Sequence, residues 1–214
     1  MHHTPRQHAR AAGILYLVTH VTSVAAVAAY SAGAIRGGVT LEFALAIGCL
    51  GTGVLLWLLL RNVGPARAAT FALMRTLEAA VIIAGTLPMF ATLVIDRPGA
   101  QWVDAAASVH TASFLLGQGL VISVNTIVLG WLLWDSRAVP RALAALGGIG
   151  GTLVLTSNLA QLWGLIPLNG PIAGAAALPV FVFEIWFAIH LIVVGVRPAT
   201  GSTPAPSFQE APVR

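Results

Sequence analysis

Glu78 and Glu184 stand in stretches that otherwise carry almost nothing but apolar side chains. Glu184 lies in PVFVFEIWFAIH, where no cation occurs within one helical turn. Glu78 lies in RTLEAAVIIAG, with Arg75 three residues before it. Spaced three apart on a helix, Arg75 and Glu78 share a face and can pair, or Arg75 can reach back to the membrane surface. Glu184 needs a proton, a partner on another helix, or water. A carboxyl that holds a proton in dry surroundings is what a general acid or a proton carrier requires. His20, His110, Gln118 and Asn125 are the polar residues that could line a cavity around such carboxyls. His110 and His190 sit at different depths, which argues against a bis-imidazole haem site. There is no HExxH, no zinc-ligand spacing, no phosphate loop and no GxSxG elbow, so neither a metal site nor a cofactor is expected.

The elements that must position these residues are membrane helices. Of the 214 residues, 57% are apolar and 8% charged. A soluble domain carries about 25% charged residues, so a soluble enzyme is excluded. Mean hydropathy is +0.88. Six apolar stretches, at 11–30, 41–60, 68–95, 107–134, 142–166 and 173–196, are long enough to span a bilayer, which needs about 20 residues each. Backbone groups unpaired in lipid rule out open sheet, and the alternation of a β-barrel is missing. On a rise of about 1.5 Å per residue, Glu78 lies about 15 Å into the third stretch and Glu184 about 17 Å into the sixth from the other side, at nearly one depth. Glu42, Asp96, Asp104 and Asp135 fall at helix ends or in loops and call for no special role. Asn125, Asn158 and Gln161 are expected to bond across helices. In the fifth stretch Gly147 and Gly151 make a small-residue face, expected to pack within the chain.

All eleven basic residues are arginine, and the net charge is +4. They are scattered through loops, so no nucleic-acid partner is expected. Six spans put both termini on one side, with Arg6, Arg10, Arg61, Arg67, Arg137, Arg141, Arg197 and Arg214. Arg36 and Arg97 lie on the other. The imbalance makes the terminal side cytoplasmic. Trp57, Trp131 and Trp134 fall at helix ends on that side, as interfacial tryptophans do. The single cysteine, Cys49, excludes a disulfide framework. The expected fold is an all-α integral membrane bundle of six transmembrane helices in the inner (plasma) membrane, with both termini cytoplasmic. Residues 1–10 form a cytoplasmic segment, 11–197 the transmembrane domain, and 198–214 a disordered cytoplasmic tail.

Several stretches carry a resemblance. ARAAGILYLVTHVTSV, RTLEAAVIIAG, HTASFLLGQGLVISVNTIVLGWLLWDSRAVPR and LPVFVFEIWFAIHLIVVGV together reach from about Arg10 to Arg197. With them the chain resembles the bacterial membrane family catalogued as domain of unknown function 4386. The resemblance implies a compact multi-pass helical protein and supplies no activity. The positions it carries over are Arg75, Glu78, His110, Gly117, Asn125 and Glu184. The family pattern often has Asp-Trp after the histidine, whereas Thr111 and Ala112 follow His110 here.

Three functions compete. The favoured one is an intramembrane acid–base enzyme acting on a lipophilic substrate, an isoprenoid or lipid, in the manner of small membrane terpene cyclases. Glu184 and Glu78 would be proton donor and acceptor in an order left open, and Arg75 would tune or anchor them. His20, His110, Gln118 and Asn125 would contact the substrate. Phe181, Phe183, Trp186 and Phe187 could face a carbocation or simply face lipid and neighbouring helices. The alternatives are a proton-linked carrier or binder of small molecules, and a non-catalytic accessory protein. Membrane lipids and a lipophilic small molecule are the expected partners, and oligomeric state stays open.

Overall fold

The computed structural model describes residues 4–96 and 98–196. Among these residues there is no strand. Six helices are long and apolar enough to cross a membrane: Pro5–Ser31, Ile35–Leu60, Pro65–Val94, Ala100–Ser136, Arg141–Leu162 and Pro171–Val193. They are the first to sixth helices. The number agrees with the hydropathy pattern, and most starts come earlier than expected. The first helix begins at Pro5, inside the expected N-terminal segment, because a capping box starts it. Thr4 Oγ1 accepts from the Gln7 N–H at 3.4 Å, and the Thr4 N–H donates to Gln7 Oε1 at 2.8 Å. Pro5 supplies a first-turn residue whose missing N–H is no loss there. The second helix begins at Ile35, after a turn of three residues in which Gly33 takes φ 73°. Arg36, Gly37 and Gly38 read as loop in the sequence but are helical. The fifth helix ends at Leu162, four residues early, where Gly164 takes φ 68° and its N–H bonds to the Gln161 carbonyl at 3.1 Å. The expected tail at 198–214, together with His2, His3, Arg97, Arg197 and Arg214, lies outside the described residues.

Each helix packs on its chain neighbours, and the sixth returns against the first, so the bundle closes on itself. The two ends differ. At the end carrying Arg10, Arg61, Arg67 and Arg141, all six helices contribute to one buried apolar core, including Leu56, Phe71, Leu132, Leu143, Phe183 and Phe187. At the other end packing thins. The sixth helix has no buried residue before Val180, and the first half of the fourth buries only Ala106. The arginine-rich end is also belted by aromatic rings. Arg61 stacks on Trp57 at 5.1 Å, Arg67 on Trp131 at 4.6 Å and Arg141 on Trp134 at 5.4 Å.

Without a hydrophobic drive between helices in lipid, close approach falls to small residues. A Cβ on Gly147 would meet the Phe183 ring at 2.8 Å, and one on Gly151 the Ser123 carbonyl oxygen at 3.0 Å. The small-residue face therefore packs within the chain, on the sixth helix and the fourth. Gly13 closes the bundle, since a Cβ there would lie 2.6 Å from the Ala188 carbonyl oxygen, which is backbone and cannot swing away. Gly13→Val is expected to destabilise by about 1–3 kcal/mol or more through overpacking. Gly174→Val, with nothing within 4 Å of its added Cβ, serves as control. Thermal unfolding of the detergent-solubilised variants checks this, and equal melting of the two would contradict the closure at Gly13.

Candidate functional site

Arg75 is the largest of the fully buried side chains, and it does not reach back to the surface. It is 2% exposed, as is Glu78. Its Nη1 donates to Glu78 Oε2 at 2.8 Å, one turn along the third helix. Its Nε donates to Thr52 Oγ1 on the second helix at 3.2 Å. The guanidinium lies 5.4 Å from the centre of the Tyr16 ring on the first helix. Glu78 has further donors: Asn125 Nδ2 on the fourth helix at 2.8 Å and Cys49 Sγ on the second at 3.7 Å. A guanidinium stays charged, and a buried charge needs a counter-charge. Glu78, as a carboxylate accepting three donors, supplies it. One ion pair thus ties together the first four helices.

Beside this pair lies a cavity of about 120 Å³. Arg75, Glu78 and Cys49 form part of its wall, with Gln118 on the fourth helix, His20 and Ser23 on the first, and Glu184 and Phe181 on the sixth. Val24 and Phe181, both exposed on the outside of the bundle, mark where it opens between the first and sixth helices. Glu184 finds its partner across that seam, with Oε2 3.4 Å from His20 Nε2. His20 Nδ1 lies 3.2 Å from the Tyr16 carbonyl oxygen. A carbonyl only accepts, so Nδ1 carries a hydrogen. Nε2 of a neutral ring is then an acceptor facing a carboxyl oxygen, and two acceptors at this distance repel unless one is protonated. The pair therefore holds one proton, on Nε2 or on the carboxyl. Gln118 Oε1 accepts from the Ser23 hydroxyl at 2.9 Å. Gln118 sits in a π-helical turn, Leu115–Val121, which interrupts the fourth helix. Such turns recur at functional sites.

Of the seven residues singled out in the sequence, five meet at this cavity: Arg75, Glu78, Glu184, His20 and Gln118. Asn125 stands behind them, on Glu78. His110 is elsewhere. Its Nε2 lies 2.9 and 3.0 Å from the two oxygens of Glu42 at the arginine-poor end, and the Tyr30 hydroxyl donates to Glu42 Oε2 at 2.8 Å. Glu42 is buried and bonded, so its reading as a helix-end residue without a role is overturned. That reading followed from starting the second helix at 41; the start at Ile35 puts Glu42 two turns in. Two of the three expected cross-helix amides also differ. Asn158 donates to the Val154 carbonyl of its own helix and accepts from Gln161, and Gln161 Oε1 caps the Asn169 N–H. Of the four aromatic residues around Glu184, only Phe181 lines the cavity. Phe183 and Phe187 stack in the apolar core with ring centres 5.6 Å apart, and Trp186 is exposed. Cys49, Thr52, Ser23 and Tyr16 carried no sequence pattern that marks them. Among the described residues no group of three or more His, Cys, Asp or Glu is placed to hold a metal ion.

The family described as Domain of unknown function (DUF4386) matches residues 11–195. The chain belongs to this family. The matched region contains every residue of the cavity wall. No curated protein and no solved structure matches the chain. In this DUF4386 chain Thr111, which follows His110, donates its hydroxyl to the Ala107 carbonyl of its own helix.

Removing one partner of a buried ion pair costs about 3–5 kcal/mol, whereas replacing both by apolar residues is often near neutral. Arg75→Met is therefore expected to destabilise by about that amount, and Arg75→Met with Glu78→Met to recover most of the loss. A double-mutant cycle by denaturant unfolding in micelles measures this. Additive losses would show that the two side chains act independently.

Proposed function

We propose that this multi-pass membrane protein is an intramembrane acid–base enzyme whose site takes the reactive end of a lipophilic molecule. The observation that carries this is the His20–Glu184 pair, which holds one proton on the wall of a cavity opening between two helices toward the lipid. Proton transfer asks for a group that gives a proton and a neighbour that takes one back. His20 and Glu184 supply both roles, with Glu184 the donor when the shared proton sits on its carboxyl. Glu78 is occupied by three donors and serves with Arg75 as a fixed charge pair that polarises the cavity.

Size narrows the substrate. Pockets for whole drug-sized ligands measure about 300–1,000 Å³, and an engineered cavity of about 150 Å³ takes a benzene. A cavity of about 120 Å³ accepts an alkene terminus, an epoxide, a carbonyl or a hydroxyl. The remainder of the molecule would lie in the bilayer along Val24 and Phe181. With one aromatic ring on the wall, a single proton transfer suits the site better than a cation cascade. The arginine-rich end would face the cytoplasm of the plasma membrane, following the charge asymmetry among the loops.

Mass spectrometry of organic-soluble molecules co-purifying with the extracted protein tests this reading. Wild type is compared with Glu184→Gln and Glu78→Gln, each checked for helix content. A specific lipophile in wild type, chemically changed in Glu184→Gln, is expected. No specific molecule in any folded sample would overturn the reading in favour of an accessory role. Flux of a small molecule across vesicles that depends on pH and on Glu184 would overturn it in favour of a carrier.

A further inference from the structure

Buried Glu42 with half-buried Tyr30 and His110 forms a second ionisable cluster, at the arginine-poor end, and the acid–base cavity does not include it. We infer that the Glu42–His110 pair is the proton-exchange station of the cavity, reloading the His20–Glu184 pair from the arginine-poor face of the membrane. This inference rests on the acid–base reading of His20–Glu184.

The links are contiguous. Glu42, His110, Ser113 and Gln118 line a small void of about 10 Å³. One water needs about 10–15 Å³ of such volume and two to four polar partners, so the void has room for one water and no more. Gln118 also lines the larger cavity, where the Ser23 hydroxyl bonds to it at 2.9 Å. Gln118 and Ser23 are therefore the joint between the two spaces. His110 in turn borders an open recess of about 390 Å³ with Tyr30 and Asn169, toward the arginine-poor side. On the opposite side an apolar core from all six helices lies below Arg75 and Tyr16, and none of its residues lines the inner cavity. The polar approach that the cavity linings connect is the one from the arginine-poor side.

In each transfer one proton moves and no electrons do. A proton from bulk water enters the Glu42–His110 pair and passes to the water in the void. The Ser23 hydroxyl, which here donates to Gln118 Oε1, then turns to donate toward His20–Glu184, taking the water's proton on its oxygen as it releases its own. The titratable group facing the outer pair is Tyr30 from the first helix; the third presents only Ile82 and Gly85 to the void, and the fourth Ser113, Phe114 and Gln118. Those facing the inner pair are Tyr16, Cys49, Arg75 and Glu78.

Hydrogen–deuterium exchange of the substrate-free protein in lipid, followed by infrared spectroscopy, tests this. The carboxylic-acid band of Glu184 is assigned by its loss in Glu184→Gln. Gln118→Leu and Ser23→Ala are both expected to slow its exchange at least about tenfold, as the loss of a proton-transfer group does. His110→Phe is expected to do the same, while Trp131→Phe at the opposite end leaves the rate unchanged. Wild-type exchange rates in His110→Phe and in whichever of the Gln118 and Ser23 variants folds would overturn the route. The readout needs no substrate, so it separates failure of the route from failure of the enzyme reading. Absence of any Glu184 acid band at any pH would overturn both.

Discussion

A guanidinium in the middle of a membrane bundle is the constraint around which this fold is arranged. Arg75 cannot shed its charge, and placing it at the centre of a bilayer costs about 2.5–3.5 kcal/mol on insertion scales. Intramembrane hydrogen bonds return about 0.6–1.7 kcal/mol each. About two to six are needed to break even, and the Arg75–Glu78 pair makes four, within its own helix and to the second and fourth. Glu78 offsets the charge, Thr52 and the Tyr16 ring fill the remaining directions, and Asn125 holds Glu78 from the fourth helix. A residue that brings its own cost fixes the register of its neighbours, because any slip leaves it unpaired.

Function follows from where that fixed pair sits. Below it the six helices pack into a continuous apolar core; above it the fourth and sixth helices bury little. The polar residues thus lie at the boundary between a sealed half and a loose half. A cavity at such a boundary is shielded on one side and reachable on the other, as an acid–base site in lipid requires. In the proposed reading Arg75–Glu78 contributes a permanent dipole, and the proton exchanged with a substrate is the one shared by His20 and Glu184. Two glutamates at one depth consequently have different work, set by their partners.

Much of this was legible in the sequence, for physical reasons that also mark its limits. Spans declare themselves because lipid tolerates so few polar residues, and the same scarcity made Arg75, Glu78 and Glu184 conspicuous. Helical spacing gave the Arg75–Glu78 pair directly, since both lie on one face three residues apart. The His20–Glu184 pair was not legible: it depends on the sixth helix closing on the first at Gly13, a contact between residues 175 positions apart. Glu42 was misread for a simpler reason. Two glycines and an arginine look like loop, yet the segment is helical, and glycine stands at 38 because the Tyr30 ring lies where a side chain would be. The small polar residues on the wall, Ser23, Thr52 and Cys49, occur in every membrane helix, and only the packing shows which of them meet a charge.

Solid-state NMR of the lipid-reconstituted protein, with labelled histidine nitrogens and glutamate carboxyl carbons, tests the central claim most directly: the charge of Glu78 is fixed and the mobile proton belongs to His20 and Glu184. The account predicts that His20 Nδ1 is protonated throughout, that Glu78 gives a carboxylate shift at every pH at which the protein is folded, and that Glu184 and His20 Nε2 change together. A protonated Glu78 beside a permanently ionised Glu184, or a bare Nδ1 on His20, would contradict it.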